Sequence, residues 1–288
     1  MEQNNITRTL LPKTVFLLGY GAIGKCFAEM LLKTFPKVHL IVCDIVEIPH
    51  DPRFTYMNFK VTKENILSIF DHVGNGDVLV DLSTNIECFT IWSLCMEKGV
   101  MYMNTAMEEW AESKHPCSFP KTKEELYHTS LMFRHDELKT LKHWNQSQGT
   151  TSVFEHGMNP GLISHFVKTG LLQAAQYFLT QRNNEDFRDL DFLLIEKLVN
   201  EKNYVKLAQA TGLHTIHCSE KDDQLITNPP SDTKTKFYNT WSCRGFLTEG
   251  MVPIQVARGS HEDKESEEFP RIRNDTFIMS WAPSNHYW

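Results

Sequence analysis

A chain of 288 residues that is 41% hydrophobic can bury one large core or two ordinary ones. Its net charge of -7 and isoelectric point near 6.0 come without a basic run, and the densest cations, Lys121 and Lys123, are interleaved with acids. That excludes the usual nucleic-acid-binding surface and suits a cationic small molecule. No apolar run approaches the roughly 20 residues that cross a bilayer, and MEQNNITRTLLPKTV has no apolar signal segment, so no membrane partner is expected.

The 7 cysteines (Cys26, Cys43, Cys88, Cys95, Cys117, Cys218, Cys243) form an odd set without a C-x-x-C pair. This argues against a disulfide framework and a thiolate zinc site, and predicts a reduced, cytoplasmic setting. The 13 histidines are scattered; His39, His115 and His143 show no ligand spacing, and no metal is expected.

In chain order, TVFLL (14–18) reads as a buried strand, GYGAIG as a turn and KCFAEMLLKTF as a helix. HLIVCD (39–44) and FTYMNF (54–59) read as strands and KENILSIFDHV (63–73) as a helix. DVLVDLS (77–83) is a strong strand, followed by a helix through IWSLCMEKG and a strand at MYMNTA (101–106). AESKHPCSFPKTK (111–123) breaks the rhythm as a loop, and 125–145 returns to helix. TSVFEHGMNPG (151–161) is a strand and a Gly/Pro turn; a helix restarts near Leu162, another covers 190–210, and β-leaning segments follow. Strands alternating with helices predict an α/β fold, a doubly wound parallel sheet, with a second α+β domain beginning near 160.

Gly19, Gly21 and Gly24 make G-x-G-x-x-G between the first strand and the first helix, with Ala22 and Ile23 opening that helix. The first glycine permits the tight turn, the second lets a pyrophosphate approach the backbone, and the third allows close strand–helix packing. Asp44 stands twenty residues past Gly24, at the end of the next strand, which is the context this motif requires. A carboxylate there accepts from a ribose 2′-OH and repels a 2′-phosphate. Ile45, Val46 and Glu47 add no positive charge and Arg53 comes late, so NAD is expected over NADP in a Rossmann domain. Ser83 and Thr84 stand where a cofactor edge would pass, and Asp81 suits a core edge and a pocket equally.

Candidate substrate residues cluster at strand ends and turns: Glu108-Glu109-Trp110, Asn159 in HGMNPG, and Glu220 with Trp241 and Glu249. These are acids, an amide and an indole. A carboxylate substrate would ask for a guanidinium, and the cation near Trp241 is Arg244, read as outward-facing. A diamine asks for carboxylates and an aromatic face, with cation–π contacts worth ~1–2 kcal/mol when desolvated. The residues lean to amines. NTWSCRGFLTEG (239–250) on its own reads equally as a closing loop or a pocket wall.

LLGYGAIG, DLSTN, YMNTAMEEW, HGMNPGLISHFVK, KLAQATGLHTIHCSEKDDQ and NTWSCRGFLTEG together resemble the bacterial-type homospermidine synthases, relatives of saccharopine dehydrogenase, over about residues 13–284. The resemblance implies an enzyme that uses NAD as a bound redox relay. Hydride leaves the amine-bearing carbon of putrescine to give an imine, ammonia is lost as the amine of a second putrescine or a spermidine takes its place, and hydride returns to the new imine. It implies that Trp241 stabilises cationic intermediates, that Glu108, Glu220 and Glu249 hold ammonium groups, and that Asn159 sits beside the reacting centre. It also implies a homodimer.

There are two departures from the family pattern. Asn85 stands where the family more often has an aspartate, which weakens one ammonium contact. The family also continues past SWAPSNHYW with a long C-terminal region that completes the substrate domain. The expected organisation is therefore an NAD-binding domain over 1–160 and an incomplete substrate domain over 161–288, in a fragment, a natural truncation or one piece of a split protein. Two alternatives stand beside this reading: a saccharopine- or carboxyspermidine-dehydrogenase-type imine reductase, and a catalytically incomplete NAD-binding protein.

Overall fold

The structure is a computed structural model that describes residues 12–110, 128, 131–142, 144, 149–213, 215–219, 221, 228, 231, 246, 253–257 and 277–283. The chain divides into two compact units, Met1–Phe154 with Lys234–Trp288, and Glu155–Thr233.

Among the described residues of the first unit, six strands form a parallel sheet: β1 (Thr14–Leu18), β2 (His39–Asp44), β3 (Thr55–Asn58), β4 (Val78–Asp81), β5 (Met101–Asn104) and β6 (Ser152–Val153), in the order β3-β2-β1-β4-β5-β6. Side-chain alternation explains why both faces are covered. Phe16, Leu18, Ile41, Cys43 and Leu79 enter one buried cluster, and Val15, Leu17, Leu40, Val42 and Val80 enter the other. Helix α1 (Ala22–Thr34) brings Phe27, Ala28, Leu31 and Leu32 to the second cluster. Helix α2 (Cys88–Lys98) brings Phe89, Ile91, Trp92 and Cys95 to the first. Trp92 also donates its indole N–H to Ser152 Oγ at 2.9 Å, tying α2 to β6.

Register puts the strand ends on one rim. Leu18 pairs with Cys43 on one side and Asp81 on the other, and Asp81 pairs with Asn104. The order reverses between β1 and β4, so a crevice opens outside their carboxyl ends.

Two sequence expectations are corrected. KENILSIFDHV forms a 3-10 helix at Ile66–Asp71, not an α-helix. Asn65 diverts the backbone there: its side chain accepts from Thr62 N at 2.7 Å and donates to Lys60 O at 2.9 Å, competing with helical hydrogen bonding. The helix expected over 190–210 is broken in two. Lys202 adopts a left-handed φ of 51° and Asn203 then caps a new helix by accepting from Lys206 N at 3.3 Å.

A short helix α3 (Leu131–Thr140) completes the first unit's described helices, and Pro253–Ala257 (β7) and Phe277–Pro283 (β8) pair antiparallel. The second unit is helical among its described residues: α4 (Leu162–Thr180), α5 (Phe192–Asn200) and α6 (Tyr204–Ala210) bury Leu171, Ala175, Ile195, Leu198 and Leu207 together.

Leu79 is fully enclosed in a central strand. Leu79→Ala is expected to cost about 3 kcal/mol in urea unfolding, from lost burial plus the cavity left behind. Leu67, 60% exposed, should change stability by less than about 0.5 kcal/mol when cut to alanine.

Candidate functional site

The glycine loop at the crevice separates what the fold requires from what a guest requires. Gly19 has φ 96°, and a Cβ on it would lie 2.7 Å from the Leu82 carbonyl and 2.8 Å from Ser83 N. A Cβ on Gly24 would overlap the Gly19 carbonyl oxygen. Both glycines are demanded by packing inside the protein. Gly21 is not: its φ of -72° and ψ of -159° suit any residue, and a Cβ there meets nothing within 4 Å. A glycine at that position fits a group lying against the backbone from outside. Ala22 and Ile23 then open α1, no side chain caps it, and no acid lies in its first turn. Its N–H groups and dipole suit a phosphate.

Asp44, half-buried at the end of β2, organises the neighbouring turn. One carboxylate oxygen accepts from Tyr20 N at 2.5 Å and the other from Val46 N at 2.9 Å. Each oxygen keeps a second lone-pair direction, which a ribose hydroxyl can use.

Across the crevice, Asp81 is buried and receives three hydrogen bonds. Ser83 donates through N at 3.1 Å and Oγ at 2.6 Å, and the Tyr102 hydroxyl donates at 3.2 Å. Asn104 Nδ2 in turn donates to the Tyr102 oxygen at 3.1 Å. Burial pushes the Asp81 carboxyl up to about 6, the Ser83 and Tyr102 hydrogen bonds pull against it, and the field of Glu108 adds to the rise. Ser83 is thereby fixed, and exposed Thr84 and Asn85 follow it, Asn85 at a left-handed φ of 64°.

Glu108 binds this loop twice: its carboxylate accepts from Asn85 N at 3.0 Å and its carbonyl from Cys88 N at 3.1 Å. Behind it stands Arg134 of α3, its side chain 13% exposed. The guanidinium reaches Glu87 at 2.9 Å, Glu137 at 2.8 Å and Glu109 at 3.5 Å, and lies 4.1 Å from the centre of the Phe89 ring. Glu87 also caps α2, accepting from Phe89 N at 3.1 Å and Thr90 N at 2.6 Å.

Of the sequence candidates, the structure gathers Gly19, Gly21, Ala22, Ile23, Gly24 and Asp44 at one side of the crevice, and Ser83, Thr84, Asn85 and Glu108 at the other. Asn159 is exposed on the turn before α4, in the second unit. Glu220, Trp241 and Glu249 lie outside the described residues. Sequence reasoning left Asp81 open and missed Tyr102, Asn104 and Arg134. The detectable signal for the last was an arginine directly after the apolar LMF at the start of a helix.

A parallel sheet with reversed order, a glycine loop at its switch point and an acid on the second strand define a dinucleotide-binding domain. Residues 15–153 match the family described as Saccharopine dehydrogenase NADP binding domain. This segment is an NAD(P)-binding domain similar to that of saccharopine dehydrogenase. Over most of its length the chain is similar to homospermidine synthases: 28% identical over 295 residues to that of Mesorhizobium japonicum, covering 94% of this chain and 56% of the relative. It is 27% identical over 260 residues to that of Blastochloris viridis, covering 86% of this chain and 50% of the relative. A crystal structure of the homospermidine synthase from Legionella pneumophila in complex with NAD aligns with a TM-score of 0.64 at 25% identity, covering 97% of this chain and 56% of that one. The chain thus spans about half the length of the relatives it matches.

Two predictions follow from this geometry. Gly21→Ala should leave thermal stability nearly unchanged yet weaken dinucleotide binding about tenfold or more, because the methyl group stands in the ligand's space and not the protein's. Titration of the variant with NAD checks this. For Asp81, burial raises the folded-state carboxyl above its ordinary value of 3.8 to about 6. The resulting stabilisation is complete below about pH 4 and lost as pH rises through about 6. Asp81→Asn lacks that titration, so urea unfolding at about pH 4 and pH 7 should show the wild type losing on the order of 3 kcal/mol relative to the variant.

Proposed function

We propose that this chain belongs to a homospermidine synthase-like enzyme that binds NAD and transfers the aminobutyl group of putrescine to the amine of a second putrescine, or of spermidine, with release of ammonia. The observation that carries the reading is the acid-lined rim at Asn85 and Glu108. The nearby guanidinium of Arg134 is held by Glu87, Glu109 and Glu137, so this rim presents carboxylate chemistry suited to an ammonium group. The named relatives along most of the chain support the same reaction class.

In this reading Gly19, Gly21 and Gly24, with the N–H groups of Ala22 and Ile23, receive the pyrophosphate, and Asp44 takes the ribose and favours NAD over NADP. Ser83 and Thr84, fixed through Asp81, run along the cofactor's edge. The bound cofactor supplies hydride removal and return at the amine-bearing carbon. Glu108, Glu220 and Glu249 hold ammonium groups in position, and one of them takes the proton that an attacking amine must lose. Trp241 offers its ring to the cationic carbon–nitrogen centre, Asn159 orients that centre, and Asn85 lines the diamine's path. The protein works as a homodimer in the cytoplasm.

Incubating the protein with putrescine and NAD and separating the amines by mass spectrometry tests the reading: homospermidine is the expected product. Bound NAD without any product points to a catalytically incomplete NAD-binding protein, and turnover confined to carboxylated amines overturns the diamine assignment. Trp241→Phe should keep much of the activity, whereas Trp241→Ala should lose about tenfold or more, as loss of a desolvated cation–π contact predicts. Equal losses in both would remove that role from Trp241.

A further inference from the structure

We propose that Arg53 is a second determinant of cofactor choice: a guanidinium beside the ribose-binding turn that Glu29 and Asp51 hold away from a 2′-phosphate. The inference rests on the reading that Asp44 takes the adenosine ribose. All three guanidinium nitrogens are engaged. Nη1 and Nη2 meet the Glu29 carboxylate at 2.9 and 2.6 Å, while Nε and Nη2 meet Asp51 at 3.0 and 2.7 Å. Glu29 projects from α1, and Asp51 and Arg53 from the connection between β2 and β3, so the bridge joins the helix of the glycine loop to the chain leaving Asp44.

Tyr20 links this cluster to the ribose end. Its backbone N–H donates to Asp44 Oδ2 at 2.5 Å, and its ring packs on Phe54, the neighbour of Arg53, at 5.5 Å between centroids. Its phenol is raised first by burial, then by the fields of Asp51 and Glu29, with Arg53 opposing, so all three groups act on this one side chain. The Tyr56 hydroxyl donates to Val46 O and holds the chain after Asp44 against β3.

An arginine near this turn is the usual partner of a 2′-phosphate. Here that charge is spent on two carboxylates, and together with Asp44 they surround the position with negative potential. The bridge lies largely at the surface, with the side chains of Arg53 49%, Glu29 59% and Asp51 22% exposed, so it adds little to the stability of the domain. Removing the two acids should therefore free a phosphate-binding cation without rebuilding the domain.

The test compares dissociation constants for NAD and NADP, at one fixed ionic strength, for the whole chain, for Glu29→Gln/Asp51→Asn, and for the same pair with Arg53→Ala. The acid-free variant should close the gap between NAD and NADP by about five- to tenfold through tighter NADP binding, as a released Arg–phosphate pair allows. Adding Arg53→Ala should cancel that gain. Glu29→Gln alone should move the ratio in the same direction by less, which keeps the test available should the double variant fold poorly. An unchanged ratio in the acid-free variants overturns the proposal, and so does a gain that survives Arg53→Ala, which would be the general effect of removing negative charge. A wild-type protein that prefers NADP is a different failure, that of the Asp44 reading.

Discussion

The constraint on which this structure depends is the passage of the chain at Gly19, between two neighbouring strands and beneath a third segment. Leu18 is paired on both sides, with Cys43 and with Asp81. Gly19 then donates to Cys43 O at 2.9 Å and lies so close to Leu82 and Ser83 that no side chain fits. The Gly24 backbone closes over the Gly19 carbonyl from the helix side. Three elements thus meet at a spot with no room for a Cβ. Their mutual approach sets the height of the crevice floor and brings Gly21, Asp44 and Ser83 to its rim. A larger residue at Gly19 would part β1 from β4 and disperse the site with them.

Polar groups around that floor are handled in two ways. Asp81 is desolvated at a cost, offset by three donors and retained where its hydrogen bonds fix Ser83. The Glu87–Arg134–Glu109–Glu137 cluster compensates charge with charge, and Glu87 serves twice, as cap of α2 and as partner of Arg134. Burying Arg134 among three acids is tolerable because stacking on Phe89 and an accepting Glu108 carbonyl at 3.4 Å add to the ion pairs. The cluster fastens α3 and the segment after β5 to the start of α2, on the side of the sheet where Glu108 meets Asn85.

The sheet and the glycine loop were legible in the sequence because their signals are local. Both-face burial makes TVFLL and HLIVCD continuous apolar runs, and the spacing of three glycines and Asp44 is set by one β-α-β passage. The roles of Asp81, Arg134 and Arg53 were not legible, because each depends on register or on a distant partner. Asp81 meets Tyr102 through the pairing of β4 with β5, Arg134 meets Glu87 across 47 positions, and Arg53 meets Glu29 across 24. KENILSIFDHV misled for the opposite reason. Its apolar spacing is helical, but the Asn65 side chain competes for the backbone donors and acceptors that an α-helix would use.

The same distinction bears on which acids serve structure and which suit a substrate. A carboxylate that faces a guanidinium has its charge compensated and offers little to an incoming ammonium group; Glu87, Glu109 and Glu137 on Arg134, and Glu29 and Asp51 on Arg53, are of this kind. Glu108 accepts from the N–H of Asn85, a neutral donor that orients its carboxylate. Asp44 is likewise oriented by neutral donors, the N–H groups of Tyr20 and Val46. Both charges stand at the carboxyl rim of the sheet, one at each side of the crevice. A cofactor ribose at the first and, in the proposed reading, a cationic amine at the second would each meet a carboxylate oriented by backbone N–H groups, and this arrangement needs only the sheet to be in register.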